Sequence, residues 1–415
     1  MKILWISHFI PFPPKAGLII RSNGLIKELS KGNQVDLVMF NQPRLMATFF
    51  EEIDQGFDVS NKELSKYTNI LETLEIPGES STYSRLWLIL KSFFSTMPYT
   101  INWLKSTNAS NTLQAILKNT QYDLIHFDTI SLDPYFKLSQ SLNTPCVMDH
   151  HNIESHMMER RALQEQSWLK KIYFTWEAKK LTRYEKKELS KYAAHITCSE
   201  DDSSRLKNLV PNAISEVVPN GVTVKNASTE YTPKNNSILF VGGLSWYPNL
   251  QGVEYLLEEV LPALNKLTTD YELNIIGEGA SDALLETYKH DKKIKFLGFV
   301  ESLETLYNDA SAFVAPIFDG GGTKLKVLNA LANNIPLVTS TLGCEGIDLI
   351  DGTHCLIADD AETMAAKLAF VLNNREQAEL LSKAGEKLIK EKYSQEKVGE
   401  TIRNFYSTVT KLNKS

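Results

Sequence analysis

Short apolar runs alternate with stretches of helical periodicity along most of the chain. That alternation constrains the fold strongly, because parallel strands need helical crossovers and read as near-continuous apolar segments. In the first half the runs fall at 2–7, 35–40, 123–127, 145–149 and 194–198, and Ile26-x-x-Leu29 marks a first helix. After about residue 205 the pattern pauses at Val218-Pro219-Asn220-Gly221-Val222 and a polar run rich in Asn, Thr, Ser and Lys that reaches Ser237. It resumes at Ile238-Leu239-Phe240-Val241 and continues through 272–276, 294–297, 312–316, 336–339 and 354–357. The expectation is two α/β domains in series, residues 1–205 and 206–395, with a cleft between them as the natural ligand site. A length of 415 residues suits two cores better than one.

Charge and cysteine usage narrow the function classes. The net charge of −6 disfavours nucleic-acid wrapping, which needs a strongly basic face, but leaves small anionic ligands open. Cys146, Cys198, Cys344 and Cys355 show no Cys-x-x-Cys spacing and no nearby His at zinc-finger intervals, so free thiols are expected, with no structural metal and no disulfide framework. Ile3-Leu4-Trp5-Ile6-Ser7 is too short for a signal peptide and reads as a buried strand. No run approaches the roughly 20 apolar residues of a membrane span. Two segments carry a double reading. Residues 155–191 hold ten Lys or Arg against five Glu, and read as a solvated helix face or as a patch for an anionic substrate or membrane surface. Residues 85–105 mix Trp87, Phe93, Phe94, Tyr99 and Trp103 with few charges, and read as buried packing or as an interfacial helix.

Three places combine a strand end with residues suited to chemistry. The first strand runs into His8 to Gly17 and then a helix carrying Arg21, a loop without Gly-x-Gly-x-x-Gly. Gly17 permits close backbone approach, and Arg21 is suited to a phosphate or carboxylate or is an exposed helix residue. Asp149-His150-His151-Asn152-Ile153-Glu154 follows a strand, and alternation allows at most one of the two histidines to face a cleft. The third place is Asp319-Gly320-Gly321-Gly322-Thr323-Lys324-Leu325-Lys326, where a strand enters three glycines and a helix. Unpaired backbone N–H groups and the positive helix end converge there, and Lys324 and Lys326 add charge, so the cluster reads as a diphosphate cradle. It is not a Walker loop. Gly242-Gly243 and Gly277-Glu278-Gly279 also lie at strand ends, as tight turns or ligand contacts.

Taken in order, these motifs, with Arg160-Arg161, Arg183-Tyr184-Glu185, Pro248-Asn249 and Phe296-Leu297-Gly298-Phe299-Val300, resemble family 4 glycosyltransferases of the GT-B fold, retaining enzymes that use nucleotide sugars. The resemblance spans nearly the whole chain and points to the bacterial branch that builds surface polysaccharides. It implies two Rossmann-like domains, an N-terminal one for the acceptor and a C-terminal one for the donor, with a final helix in 396–415 crossing back. It further implies His151 beside the transferred sugar, Lys324 with Gly320, Gly321, Gly322 and Thr323 at the diphosphate, and Gly298, Phe299 and Val300 at the base. Gly17, Arg21, Gly242, Gly243, Glu278, Lys326 and Asn329 complete the donor contacts. The partners implied are a UDP- or GDP-sugar and a glycan or lipid-linked acceptor, with no cofactor, no metal and no nucleic acid, in the cytoplasm or at the inner membrane face. The alternative is a weak or inactive scaffold of the same fold. The family's two glutamates map onto Gly321 and Asn329, and its Arg and Lys after the first glycine of the second domain give way to Leu244, Ser245 and Trp246. Lys324 and Lys326 are the candidates to supply that charge.

Overall fold

The computed structural model describes residues 1–79, 81–224, 231, 233–234, 236–320 and 322–413; Gly321 and most of the polar run before Ser237 lie outside the described residues. Contacts divide the chain into one unit of Met1–Pro219 with Val398–Ser415, and a second of Asn220–Lys397. The break falls after Pro219, beyond the expected boundary at 205. The expected point falls inside the helix Glu200–Leu209, and the strand Ser215–Val217 beyond it pairs with Ala194–Thr197 of the first unit.

The first unit is built on seven parallel strands in the order β3-β2-β1-β4-β5-β6-β7. These are β1 (Lys2–Ser7), β2 (Gln34–Asn41), β3 (Asn69–Glu75), β4 (Leu124–Phe127), β5 (Cys146–His150), β6 (Ala194–Thr197) and β7 (Ser215–Val217). Successive residues of β1 point to opposite faces, so Ile3 and Trp5 enter one core and Leu4 and Ile6 the other. The central strands are buried on both faces, which is why they read as apolar runs. Three helices of this unit matter below: α1 (Gly17–Ser30), α2 (Thr82–Phe93) and α3 (Trp168–Glu188). The second unit has six parallel strands in the order β10-β9-β8-β11-β12-β13. They are β8 (Ser237–Val241), β9 (Glu272–Ile276), β10 (Ile294–Gly298), β11 (Ala310–Ala315), β12 (Leu337–Thr339) and β13 (Leu356–Ile357), and α4 (Leu325–Ala332) follows β11.

The terminal helix α5 (Gln395–Leu412) closes the first unit, as the GT-B resemblance implies. Val398, Ile402, Phe405, Tyr406 and Val409 recur at helical spacing and are buried in the core that holds Ile3, Trp5 and Ile26. Arg403 Nη1 donates to the Glu28 carbonyl at 2.8 Å and to Glu28 Oε2 at 3.1 Å. Gly399 is needed for this approach, because a Cβ there would stand 2.4 Å from Glu28 Oε2. Among the described residues no helix is long and apolar enough to cross a membrane.

This packing makes a simple prediction. Ile402→Ala leaves a cavity in a fully buried site and is expected to lower the unfolding free energy by about 2–5 kcal/mol, whereas Asn404→Ala on the exposed face stays within about 0.5 kcal/mol. Urea denaturation followed by circular dichroism measures both.

Candidate functional site

In each sheet the strand order reverses once, between β1 and β4 in the first unit and between β8 and β11 in the second. Such reversals splay the crossover connections apart and leave a crevice at the carboxyl ends of the strands. The residues that stand there differ in kind: histidines and carboxylates in the first unit, glycines and lysines in the second.

In the first unit the centre is Asp128, which follows β4 and has no exposed surface. Its carboxylate accepts from Ser7 Oγ at 3.0 Å, from Ser22 Oγ at 3.0 Å and from His151 Nε2 at 3.0 Å, with His8 Nδ1 at 3.5 Å. Burial alone would push the carboxyl up, but the charge of His151 and hydrogen bonds from the surrounding histidines hold it well below the usual carboxylate range. The same pair works in reverse on His151: burial lowers it, Asp128 outweighs burial, and the imidazolium is favoured. Of the two adjacent histidines His151 is the one turned toward the crevice. His150 is buried, shares a hydrogen bond with His195 Nδ1 at 3.1 Å, and is held neutral by burial. Gly17 is exposed as the first residue of α1.

Arg21 is placed differently from the expectation that it reaches the donor. It is buried, Nη2 donates to Asp149 Oδ1 at 2.9 Å and Nη1 to the Val218 carbonyl at 2.6 Å. A guanidinium enclosed with a carboxylate has no charge to offer a ligand; it ties α1 to the end of β5 and to the last residues before the break. Asp128 and His8 were missed by sequence reasoning. The available signal was the aspartate that ends the apolar run Leu124-Ile125-His126-Phe127, a polar group at a strand terminus.

In the second unit the glycines of three strand ends interlock. Gly277 has φ of 144°, and a Cβ on it would lie 2.0 Å from the Gly242 carbonyl oxygen. Its own N–H donates to the Gly298 carbonyl at 2.9 Å, so the turns after β8, β9 and β10 form one surface. Lys326, on the first turn of α4, reaches into it: Nζ donates to Asn249 Oδ1 at 2.6 Å, lies 4.8 Å from the Phe240 ring centroid, and would be 2.7 Å from a Cβ on Gly242. Asn249 Nδ2 in turn donates to the Gly243 carbonyl at 2.8 Å. Burial, reinforced by Lys324, brings the Lys326 ammonium down to about 8. Lys324 Nζ donates to the carbonyls of Gly320 at 3.0 Å and Gly322 at 2.6 Å, and Glu345 stands 3.7 Å away. Lys324 therefore holds the glycine loop folded around itself. No side chain caps α4, and the Thr323 hydroxyl is buried without a partner among the described residues. Asn329 lies half-buried one turn further along α4, Gly243 and Glu278 are exposed, and Phe299 presents its ring to solvent beside half-buried Val300. Gly321 lies outside the described residues.

The Asp128–His151 pair has a pH signature. The stabilisation it gives is complete below the ordinary histidine pKa and fades as pH climbs through the raised value. In Asp128→Asn the largest group that raises His151 is lost while burial and Arg21 still lower it and Asp149 still raises it, so the His151 titration is expected to move down from its wild-type position; proton NMR of its ring measures the shift, and an unmoved titration contradicts the assignment.

Comparison with known proteins follows the same division. Residues 82–226 match the family model described as Glycosyltransferase Family 4, and residues 235–374 the one described as Glycosyl transferases group 1. An uncharacterized 44.6 kDa protein in the cps region of Klebsiella pneumoniae is 24% identical over 97% of this chain and 98% of its own length. The fold is similar to sucrose-phosphate synthase from Thermosynechococcus elongatus, with a TM-score of 0.68 at 17% identity over 99% of this chain and 100% of that one. It is similar also to Anabaena HepE in complex with UDP, at TM-score 0.64 and 13% identity over 98% and 100% of the two chains. TarM from S. aureus, in complex with fondaparinux, alpha-GlcNAc-glycerol and UDP, superposes at TM-score 0.62 with 14% identity over 98% and 100%. With a family 4 segment in its first half, a group 1 segment in its second and the GT-B fold throughout, the chain belongs with the GT4-type glycosyltransferases.

Proposed function

We propose that the protein is a retaining glycosyltransferase that moves a sugar from a UDP- or GDP-sugar to a growing surface glycan or lipid-linked acceptor, in the cytoplasm or at the inner membrane face. The observation that carries this reading is the cradle at the reversal point of the second sheet, where the glycine loop, the uncapped α4 and two lysines converge. Its donors suit phosphate oxygens, and its charge suits a diphosphate leaving group. The three neighbours named above support the fold, and the UDP bound to two of them supports a nucleotide donor here.

In the mechanism we favour, the bond from the anomeric carbon to the diphosphate breaks, an oxocarbenium-like centre forms, and the acceptor hydroxyl attacks from the face just vacated. Its proton passes to the departing phosphate oxygen. The cradle then has the principal task of stabilising negative charge as it builds on the phosphates. Lys326 stands beside Gly242, where the family's arginine and lysine are missing, and supplies that charge from α4. Lys324 has to exchange its loop carbonyls for phosphate oxygens as the donor binds. His151, oriented by Asp128, is the group we assign to the transferred sugar, and Gly298 to Val300 to the base. Asp128 already accepts two serine hydroxyls and a histidine, which favours a histidine-orienting carboxylate over a metal ligand. No divalent cation is required by this scheme.

Asn329 supports a second reading, a scaffold that binds a sugar nucleotide without turnover, because an amide replaces the carboxylate that the family uses for the ribose. Isothermal titration in EDTA against UDP, GDP, ADP and their sugar conjugates tests the donor site, and Asn329→Ala separates the readings: donor binding is lost in the enzyme and little changed in the scaffold. The enzyme reading expects micromolar binding to one nucleotide class, weakened roughly 10- to 100-fold in Lys324→Ala, the value of a charge-assisted hydrogen bond. Absence of binding to every nucleotide contradicts both the donor site and the transfer reaction.

A further inference from the structure

Two helices of the first unit carry the same exposed apolar pattern. On α2 and the residue after it, Leu86, Trp87, Leu90 and Phe94 are exposed; on α3, Trp168, Leu169, Ile172 and Trp176 are exposed, with the same intervals between them. Phe94 is 80% and Trp87 59% accessible. The helices touch one another: Trp176 Nε1 donates to the Phe93 carbonyl at 3.3 Å, Lys180 Nζ to the Ser92 carbonyl at 2.8 Å, and the Phe93 and Tyr173 rings stack. Matched stripes on two contacting helices make a patch, not scattered surface residues, and a patch of large apolar side chains marks an interaction surface. Basic residues run through it, with Arg85, Lys91, Lys170, Lys171 and Lys179 all exposed.

Beside the patch lies a cavity of about 610 Å³, to which Phe94 and Trp176 contribute walls. Lys105, Lys137, Lys180, Arg183, Lys187 and Lys191 line it, against Asp133 and Glu188. Glu188 pairs with Lys187 and Lys191, and Asp133 accepts from Tyr184 and Tyr192, so the acidic groups are engaged. No side-chain hydrogen bond or ion pair engages Lys105, Lys137 or Arg183 among the described residues.

We propose that α2 and α3 form a membrane-docking face, whose apolar stripes enter the head-group region of an anionic bilayer while the basic cavity takes the phosphate of one anionic lipid. Aromatic side chains backed by lysines are what the boundary between head groups and acyl chains accommodates. Charge argues for this occupant over a second copy of the chain, since two such faces would set cation against cation. A soluble phosphate would leave the stripes unexplained. The remainder of this acidic chain is repelled by the same surface, which orients the face toward it.

Flotation of the full chain with vesicles tests the proposal without donor or acceptor, so its outcome is independent of the transfer reaction. Binding is expected to phosphatidylcholine vesicles containing phosphatidylglycerol and not to phosphatidylcholine alone, and to fall with added salt. Lys137→Glu with Arg183→Glu is expected to weaken it at least roughly tenfold, and Trp87→Ser with Leu90→Ser to abolish it, with unchanged thermal melting in both. Short-chain phosphatidylglycerol below its micelle concentration is expected to bind the wild-type chain and not the doubly charge-reversed one. Equal partition into neutral vesicles, or variants that float like the wild type, overturns the proposal. So does inorganic phosphate that competes as well as the short-chain lipid, or a dimer in light scattering that Trp87→Ser dissociates while vesicles fail to bind.

Discussion

A carboxylate with no exposed surface must be paired where it stands, and Asp128 meets that requirement by drawing four segments of the first unit to one point. Ser7 comes from the end of β1, Ser22 from α1, His151 from beyond β5 and His8 from the loop between β1 and α1. Removing any one partner leaves part of a buried charge uncompensated, which costs more than the bond itself gains. Around this centre the neighbouring groups are locked too. Arg21 is closed on Asp149, and His126, stacked on Trp5, shares a hydrogen bond with Tyr406 of the terminal helix. His126 Nε2 in turn stands 3.9 Å from Asp128 Oδ1, which makes it the third histidine beside that carboxylate.

The second unit solves a different problem with different residues. The surface we propose for phosphate oxygens would need backbone N–H groups within reach, and side chains are excluded where the turns approach each other. Gly277 under the Gly242 carbonyl is the clearest case. Lys326 is long enough to enter that corner from α4, where it meets Asn249, and it carries the charge the turn itself lacks. Burying an ammonium lowers its affinity for protons, and an anionic partner would restore it.

Much of this was legible in the sequence, for reasons that also explain the omissions. Strands buried on both faces announce themselves as apolar runs, and the central strands of both sheets were read that way. β3, Asn-Ile-Leu-Glu-Thr-Leu-Glu at an edge, alternates and is half-solvated, and β7 is only three residues long, so neither produces a run. The glycine loop stood out because three glycines follow a strand end, and the structure closes Lys324 on the carbonyls of two of them. Arg21 was misread because local spacing does not reveal a partner at residue 149, and Asp128 was missed because a single aspartate acquires meaning only when the sheet brings three histidines to it. The exposed stripes of α2 and α3 had an ambiguous composition, buried packing or interface, and only their accessibility decides between the two.

The proposed reaction depends on the diphosphate of a nucleotide sugar resting on the glycine loop after β11. A crystal structure of the chain with UDP or GDP bound tests it directly. Phosphate oxygens are expected within hydrogen-bond distance of the backbone N–H groups between Gly320 and Thr323 and of Lys326 Nζ, with Lys324 released from the loop carbonyls. A nucleotide bound with its phosphates away from that loop, and Lys324 still closed on Gly320 and Gly322, would contradict it.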